Sequence, residues 1–99
     1  MTKPCYSDYI RHTIRFYSRF RNPKFKTDID RANWHSCHNA IQGYSDRDKD
    51  ILLYVYGEFD TLGDNVYAIA KKYNIDQNIV WDMMKEFERK VAIERGLWV

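Results

Sequence analysis

Apolar residues recur at intervals of three and four along nearly the whole chain, the spacing that builds one face of an α-helix. Tyr6, Tyr9, Ile10, Thr13, Ile14, Tyr17 and Phe20 form the first such face. Ser7 is placed to cap its first turn and Pro23 to stop it, because Asn22 before a proline is driven out of helical dihedrals. A second helix is predicted from Thr27, through Ile29, Asn33, Cys37, Ala40 and Ile41, to a stop at Gly43. Ser45 opens a third, and Ser45-Asp46-Arg47-Asp48 resembles a capping box with Asp48 where Glu or Gln is usual. Asp46 and Asp48 also suit the positive end of the helix dipole. Ile51, Leu52 and Val55 face the core with Tyr56 at the edge of that face, and Gly57 terminates the helix. Residues 57–65 read as a polar loop whose Phe59 and Leu62 tuck back onto the core. Asp64 or Asn65 then caps a short fourth helix carrying Val66, Ile69, Ala70 and Tyr73. After a tight turn at Asn74-Ile75, Asp76 caps a long last helix ending near Gly96, with Val80, Met83, Met84, Phe87 and Val91 as its buried stripe. No segment alternates as a strand would, so the expected fold is all-α, a bundle of about five helices.

Length and composition narrow this further. Ninety-nine residues allow one domain over 1–99, and 44% hydrophobic with 16% aromatic residues rules out a disordered chain. No apolar run approaches the roughly 18 residues a membrane span needs. Met1 to Ser7 contains no apolar stretch, so no secretory signal is expected. Cys5 and Cys37 are too few for a disulfide framework, which favours a reducing compartment and a cytoplasmic location. The net charge of +2 divides unevenly. Residues 1–44 hold eight Lys and Arg against three Asp, a surplus of five positive charges, and residues 45–99 hold eight against eleven, a deficit of three.

Residues 66–85 carry the spacing of a helix-turn-helix. With Val66 as the first position, Ile69 and Ala70 are fourth and fifth, and the fifth must be small because two helices cross there. Asn74 is ninth, in the turn, where left-handed dihedrals are required and Asn is the best substitute for Gly. Ile75, Val80 and Met83, at the tenth, fifteenth and eighteenth, are the remaining apolar positions.

From Ser45 to about Arg95 the chain resembles the promoter-reading fourth region of bacterial sigma factors and their relatives. The likeness lies in Ser45-Asp46-Arg47-Asp48 before Ile51-Leu52, then Ala68-Ile69-Ala70, Asn74-Ile75-Asp76 and Ile79-Val80. It implies a bacterial or phage transcription protein. In that family the last helix enters the major groove and outer surfaces touch RNA polymerase. The groove-facing positions would be Gln77, Asn78, Trp81, Asp82 and Lys85, with Lys71 and Lys72 on the DNA backbone. Family members usually place Lys, Arg, Ser and Thr at the start of this helix, and the loop at 57–65 is longer than theirs.

Phosphate contact needs Lys and Arg facing the duplex. The last helix, Asp76–Arg95, has five acids against four bases, several of them within-helix partners such as Glu86 and Lys90. The first helix carries a stripe of Arg11, Arg15 and Arg19 at spacing four, interleaved with aromatics. Such a stripe is either a solvated face or a contact to nucleic acid or an acidic protein. Trp81 is either packed against other helices or an exposed anchor for a protein. The expected function is therefore DNA binding in transcription. The alternative is a non-enzymatic protein-interaction module that keeps the helix-turn-helix without reading DNA.

His35, Cys37 and His38 have the identities of metal ligands, but Cys37 falls about 100–200° around a helix from either histidine. Only His12 and Cys5 remain as distant completions, so no metal is expected. The cluster Asp46, Asp48 and Asp50 fits helix capping better than acid–base work, and no Gly-rich phosphate loop is present. The expectation is a non-enzyme with no cofactor and no small-molecule substrate.

Overall fold

Five helices account for most of the computed structural model, which describes residues 7–20 and 24–97. They are α1 (Ser7–Arg19), α2 (Asp28–Ile41), α3 (Asp46–Gly57), α4 (Leu62–Tyr73) and α5 (Gln77–Glu94). Cys5, Tyr6, the Ser7 side chain, Asn22, Pro23 and Trp98 lie outside the described residues. The expected cap and stop of α1, and any pairing of Cys5 with Cys37, fall there too.

Side-chain oxygens set the other four helix starts. Thr27, Ser45, Thr61 and Asp76 stand in extended conformation and accept from the amides of Asp30, Asp48, Asp64 and Asn78. Each such cap contributes about 1 kcal/mol. Three of the four were legible as caps. Thr61 was not, and it corrects the fourth helix: α4 starts at Leu62, so only Glu58–Thr61 separates α3 from α4. That short connection leaves no slack for Phe59 to fold inward. It is 83% exposed rather than tucked onto the core, while Leu62 does pack there.

α1 lies against α2, α3 and α5, α2 against α5, and α4 against α3 and α5. The resulting body has a radius of gyration of 13.2 Å, near the roughly 13 Å of a folded 100-residue domain. Tyr56 and Phe87 are the largest fully buried side chains, surrounded by Ile10, Ile14, Ile51, Leu52, Val66, Val80 and Met84. Ile29 departs from the expected face of α2. The buried residues of that helix, Ser36, Cys37, Ala40 and Ile41, all lie in its second half, and Ile29 in its first turn remains 60% exposed. Tyr9 and Phe20 of the α1 face are likewise 40% and 52% exposed.

The junction of α3 with α4 is fastened by Asn65. Expected as a possible cap, it is instead 2% exposed, and its Nδ2 donates to the carbonyls of Val55 at 2.9 Å and of Glu58 and Asp60 at 3.3 Å. These carbonyls leave the end of α3, where helical partners run out. Asn65→Ala removes the donors while the Val55 carbonyl stays enclosed. Urea denaturation should show a loss of about 1–3 kcal/mol, against a near-neutral result for the exposed neighbour Asp64→Ala.

Candidate nucleic-acid interface

α4 and α5 are joined by Asn74, Ile75 and Asp76 alone. Asn74 adopts φ 54° and ψ 50°, the left-handed turn that its side chain tolerates, and the Ile75 amide donates to the Ala70 carbonyl at 3.0 Å. Ile69, Ala70 and Val80 are buried where the two helices meet, and Ile75 and Met83 pack on the same core.

α5 divides along its length. Its C-terminal half is held to the rest of the protein by polar contacts. Glu88 Oε2 accepts from Arg11 Nε at 3.0 Å and from the Tyr56 hydroxyl at 2.6 Å. Glu86 accepts from Tyr44 at 2.8 Å and pairs with Lys90 at 3.5 Å, and the Lys90 ammonium lies 4.5 Å from the Tyr44 ring centre. Hydrogen bonding from Tyr44 and the charge of Lys90 hold Glu86 below its ordinary pKa. Glu94 accepts from Asn39 at 3.5 Å. At the other end, Asp76 accepts the Asn78 amide at 2.7 Å. Four of the five acids of the segment are thus engaged within the protein.

Gln77, Asn78, Asp82, Lys85 and Arg89 are exposed. Asn78, Asp82, Lys85 and Arg89 follow one another by four, three and four, so they form one face opposite Val80, Met84, Phe87 and Val91. Arg89 is the one residue of this face that sequence reasoning overlooked, although its spacing of four from Lys85 carried the signal. Trp81 is half-buried and packs on the core, which rules against an exposed aromatic anchor.

Of the two α4 lysines, both exposed, Lys72 is 3.3 Å from Asp50 Oδ2. The Tyr73 hydroxyl makes a short hydrogen bond to the same oxygen. That hydrogen bond, with Lys72 beside it, lowers the Asp50 pKa.

The arginine stripe is not a free surface. Arg11 is bound to Glu88, and Arg19 donates to the carbonyls of Gly57 at 3.0 Å and Glu58 at 3.3 Å while lying 4.0 Å from the centre of the Phe59 ring. Arg15, half-buried, lies between them on the same flank. Two of the three arginines of the stripe hold α1 against α3 and α5.

His38 stacks on Trp34 at 4.9 Å and hydrogen-bonds the Tyr17 hydroxyl at 3.1 Å, and His35 meets Trp34 edge-on. Cys37 is fully buried on the inner face, where burial pushes its thiol up to about 12. No three His, Cys, Asp or Glu side chains converge as a metal site among the described residues. Nor is any helix among them long and apolar enough to cross a membrane. No protein-family model, curated protein or solved structure matches the chain.

Two measurements follow from these environments. Because Asp50 is lowered in the folded protein, its stabilising contact is complete above the ordinary carboxylate range and is lost as pH falls through the lowered value. The Tm advantage of wild type over Asp50→Asn should therefore shrink on acidification, and an advantage constant with pH would show that the ionised contact contributes nothing. The Cys37 thiol should react slowly with a disulfide reagent at mildly alkaline pH and quickly once urea unfolds the chain.

Proposed function

We propose that this chain is a DNA-binding, transcription-associated module in which α4 and α5 form a helix-turn-helix and α5 is the reading helix. The observation that carries this is the division of α5: four of the five acids in its segment accept hydrogen bonds from other groups of the protein, while Asn78, Asp82, Lys85 and Arg89 line one outward face. On that face Lys85 and Arg89 stand against Asp82. The resemblance of residues 45–95 to the fourth region of sigma factors supports the same orientation.

In this reading Gln77 and Asn78 address adenine edges through paired amide bonds, and Asp82 accepts from a cytosine amine. Lys71, Lys72, Lys85 and Arg89 meet phosphates. Arg11 and Arg19 stay with the fold. The competing reading, a protein-interaction module that keeps the fold without reading DNA, draws on the deficit of three charges in residues 45–99.

Fluorescence anisotropy with a mixed-sequence duplex at low salt separates the two, because sequence-independent binding emerges there first. Binding is expected, with log affinity falling linearly against log salt. Lys85→Ala and Arg89→Ala should each lower that slope by about 1. Arg11→Ala should leave the slope unchanged and cost about 1–2 kcal/mol of stability in urea, since it strips a charged partner from the mostly buried Glu88. No binding at low salt would overturn the DNA reading.

A further inference from the structure

The four cations that the DNA reading places on phosphates are not equally available. Lys71, Lys85 and Arg89 are exposed and form no ion pair among the described residues. Lys72 is 3.3 Å from Asp50 Oδ2, and its ammonium lies 5.2 Å from the centre of the Tyr73 ring. The Tyr73 hydroxyl donates to the same carboxylate oxygen. Asp50 stands on α3, while Lys72 and Tyr73 end α4, just ahead of the turn that leads into α5. Arg47, one turn before Asp50, is taken up by Asp48 at 3.0 Å.

This arrangement suits exchange better than permanent fastening. The side chains of Lys72 and Asp50 are 62% and 49% exposed, and an exposed ion pair contributes little to stability. A phosphate oxygen can take the ammonium at small cost, because Asp50 keeps the Tyr73 hydrogen bond when Lys72 leaves. Until then the carboxylate occupies the cation and repels an approaching phosphate. Sequence-independent binding consists of such phosphate contacts, so withholding one of them weakens it directly.

We propose that Asp50 is a built-in competitor for phosphate at Lys72, an autoinhibitory contact that restrains sequence-independent DNA binding. The role rests on the DNA reading above, since without a polyanion Asp50 has nothing to compete with.

Fluorescence anisotropy of the full chain on a mixed-sequence duplex, over a range of salt, tests it. Asp50→Asn keeps an oxygen for the Tyr73 hydroxyl and removes the charge. It should bind about two- to fivefold more tightly than the wild type at low salt, the worth of one exposed ion pair. The gain should shrink as added salt screens the pair. Asp60→Asn makes the same change of net charge at an exposed position between α3 and α4, and it should gain much less. Lys72→Ala should lower the salt slope by about 1 in the Asp50→Asn background and by clearly less in the wild type. Circular dichroism should be unchanged throughout, because Asp50, Asp60 and Lys72 are all exposed. A gain for Asp50→Asn no larger than that of Asp60→Asn overturns the autoinhibitory role. So does an effect of Lys72→Ala that is equal in both backgrounds, and the DNA reading survives either result. Absence of binding by the wild type and Asp50→Asn alike overturns both.

Discussion

The carboxylate of Glu88 joins three helices at one oxygen. Arg11 reaches it from α1 and Tyr56 from α3, and Glu88 itself belongs to α5. The Tyr56 side chain is fully buried and Glu88 is only 13% exposed, so the hydroxyl and the carboxylate meet where water is largely excluded, with the Arg11 side chain 38% exposed at the rim. Burial, with the Glu88 charge next in effect, raises the Tyr56 pKa well above the ordinary phenol range, which keeps the hydroxyl a donor. Removing any one partner leaves a polar group enclosed without its match, and such losses cost more than the intact contact contributes. The apolar core supplies most of the cohesion, and this contact adds a polar tie from α5 to both α1 and α3.

The same economy appears at the end of α3. Its last carbonyls would be unpaired where the chain turns toward α4. Arg19 from α1 takes those of Gly57 and Glu58, and Asn65 from α4 takes those of Val55, Glu58 and Asp60. Three helices are thereby tied at one junction. Gly57 matters here through contact: a Cβ at that position would sit 3.4 Å from the Ser18 Cβ, so α1 approaches α3 closely.

Local signals were the legible part of the fold. Helical periodicity and the caps Thr27, Ser45 and Asp76 follow from interactions within a few residues, and they locate the helices. Asn74 in a left-handed turn is equally local. What could not be read depends on partners distant in sequence. Arg11 with Glu88 is separated by 77 residues and Arg19 with Gly57 by 38, and nothing in a one-helix pattern tells a solvated arginine from one aimed at a neighbour. Ile29 fits the apolar spacing of α2 as well as Ile41 does. Only the placement of α5, against the second half of α2, leaves one exposed and the other buried. For the candidate interface, the face of α5 was legible from spacing, except that Arg89 was passed over.

Charge counted along a segment is a poor guide to charge presented by it. Residues 45–99 are acidic in sum, yet Glu86, Glu88 and Glu94 accept from tyrosine, arginine or asparagine partners, and Glu86 also pairs with Lys90. On the outward face of α5, Lys85 and Arg89 stand against Asp82 alone. The basic surplus of residues 1–44 is reduced in the opposite sense, because Arg11 and Arg19 are drawn inward. The Arg11–Glu88 pair thus joins one charge from each half. Glu88 lies on a different side of α5 from Lys85 and Arg89, so its pairing with Arg11 leaves those two cations exposed.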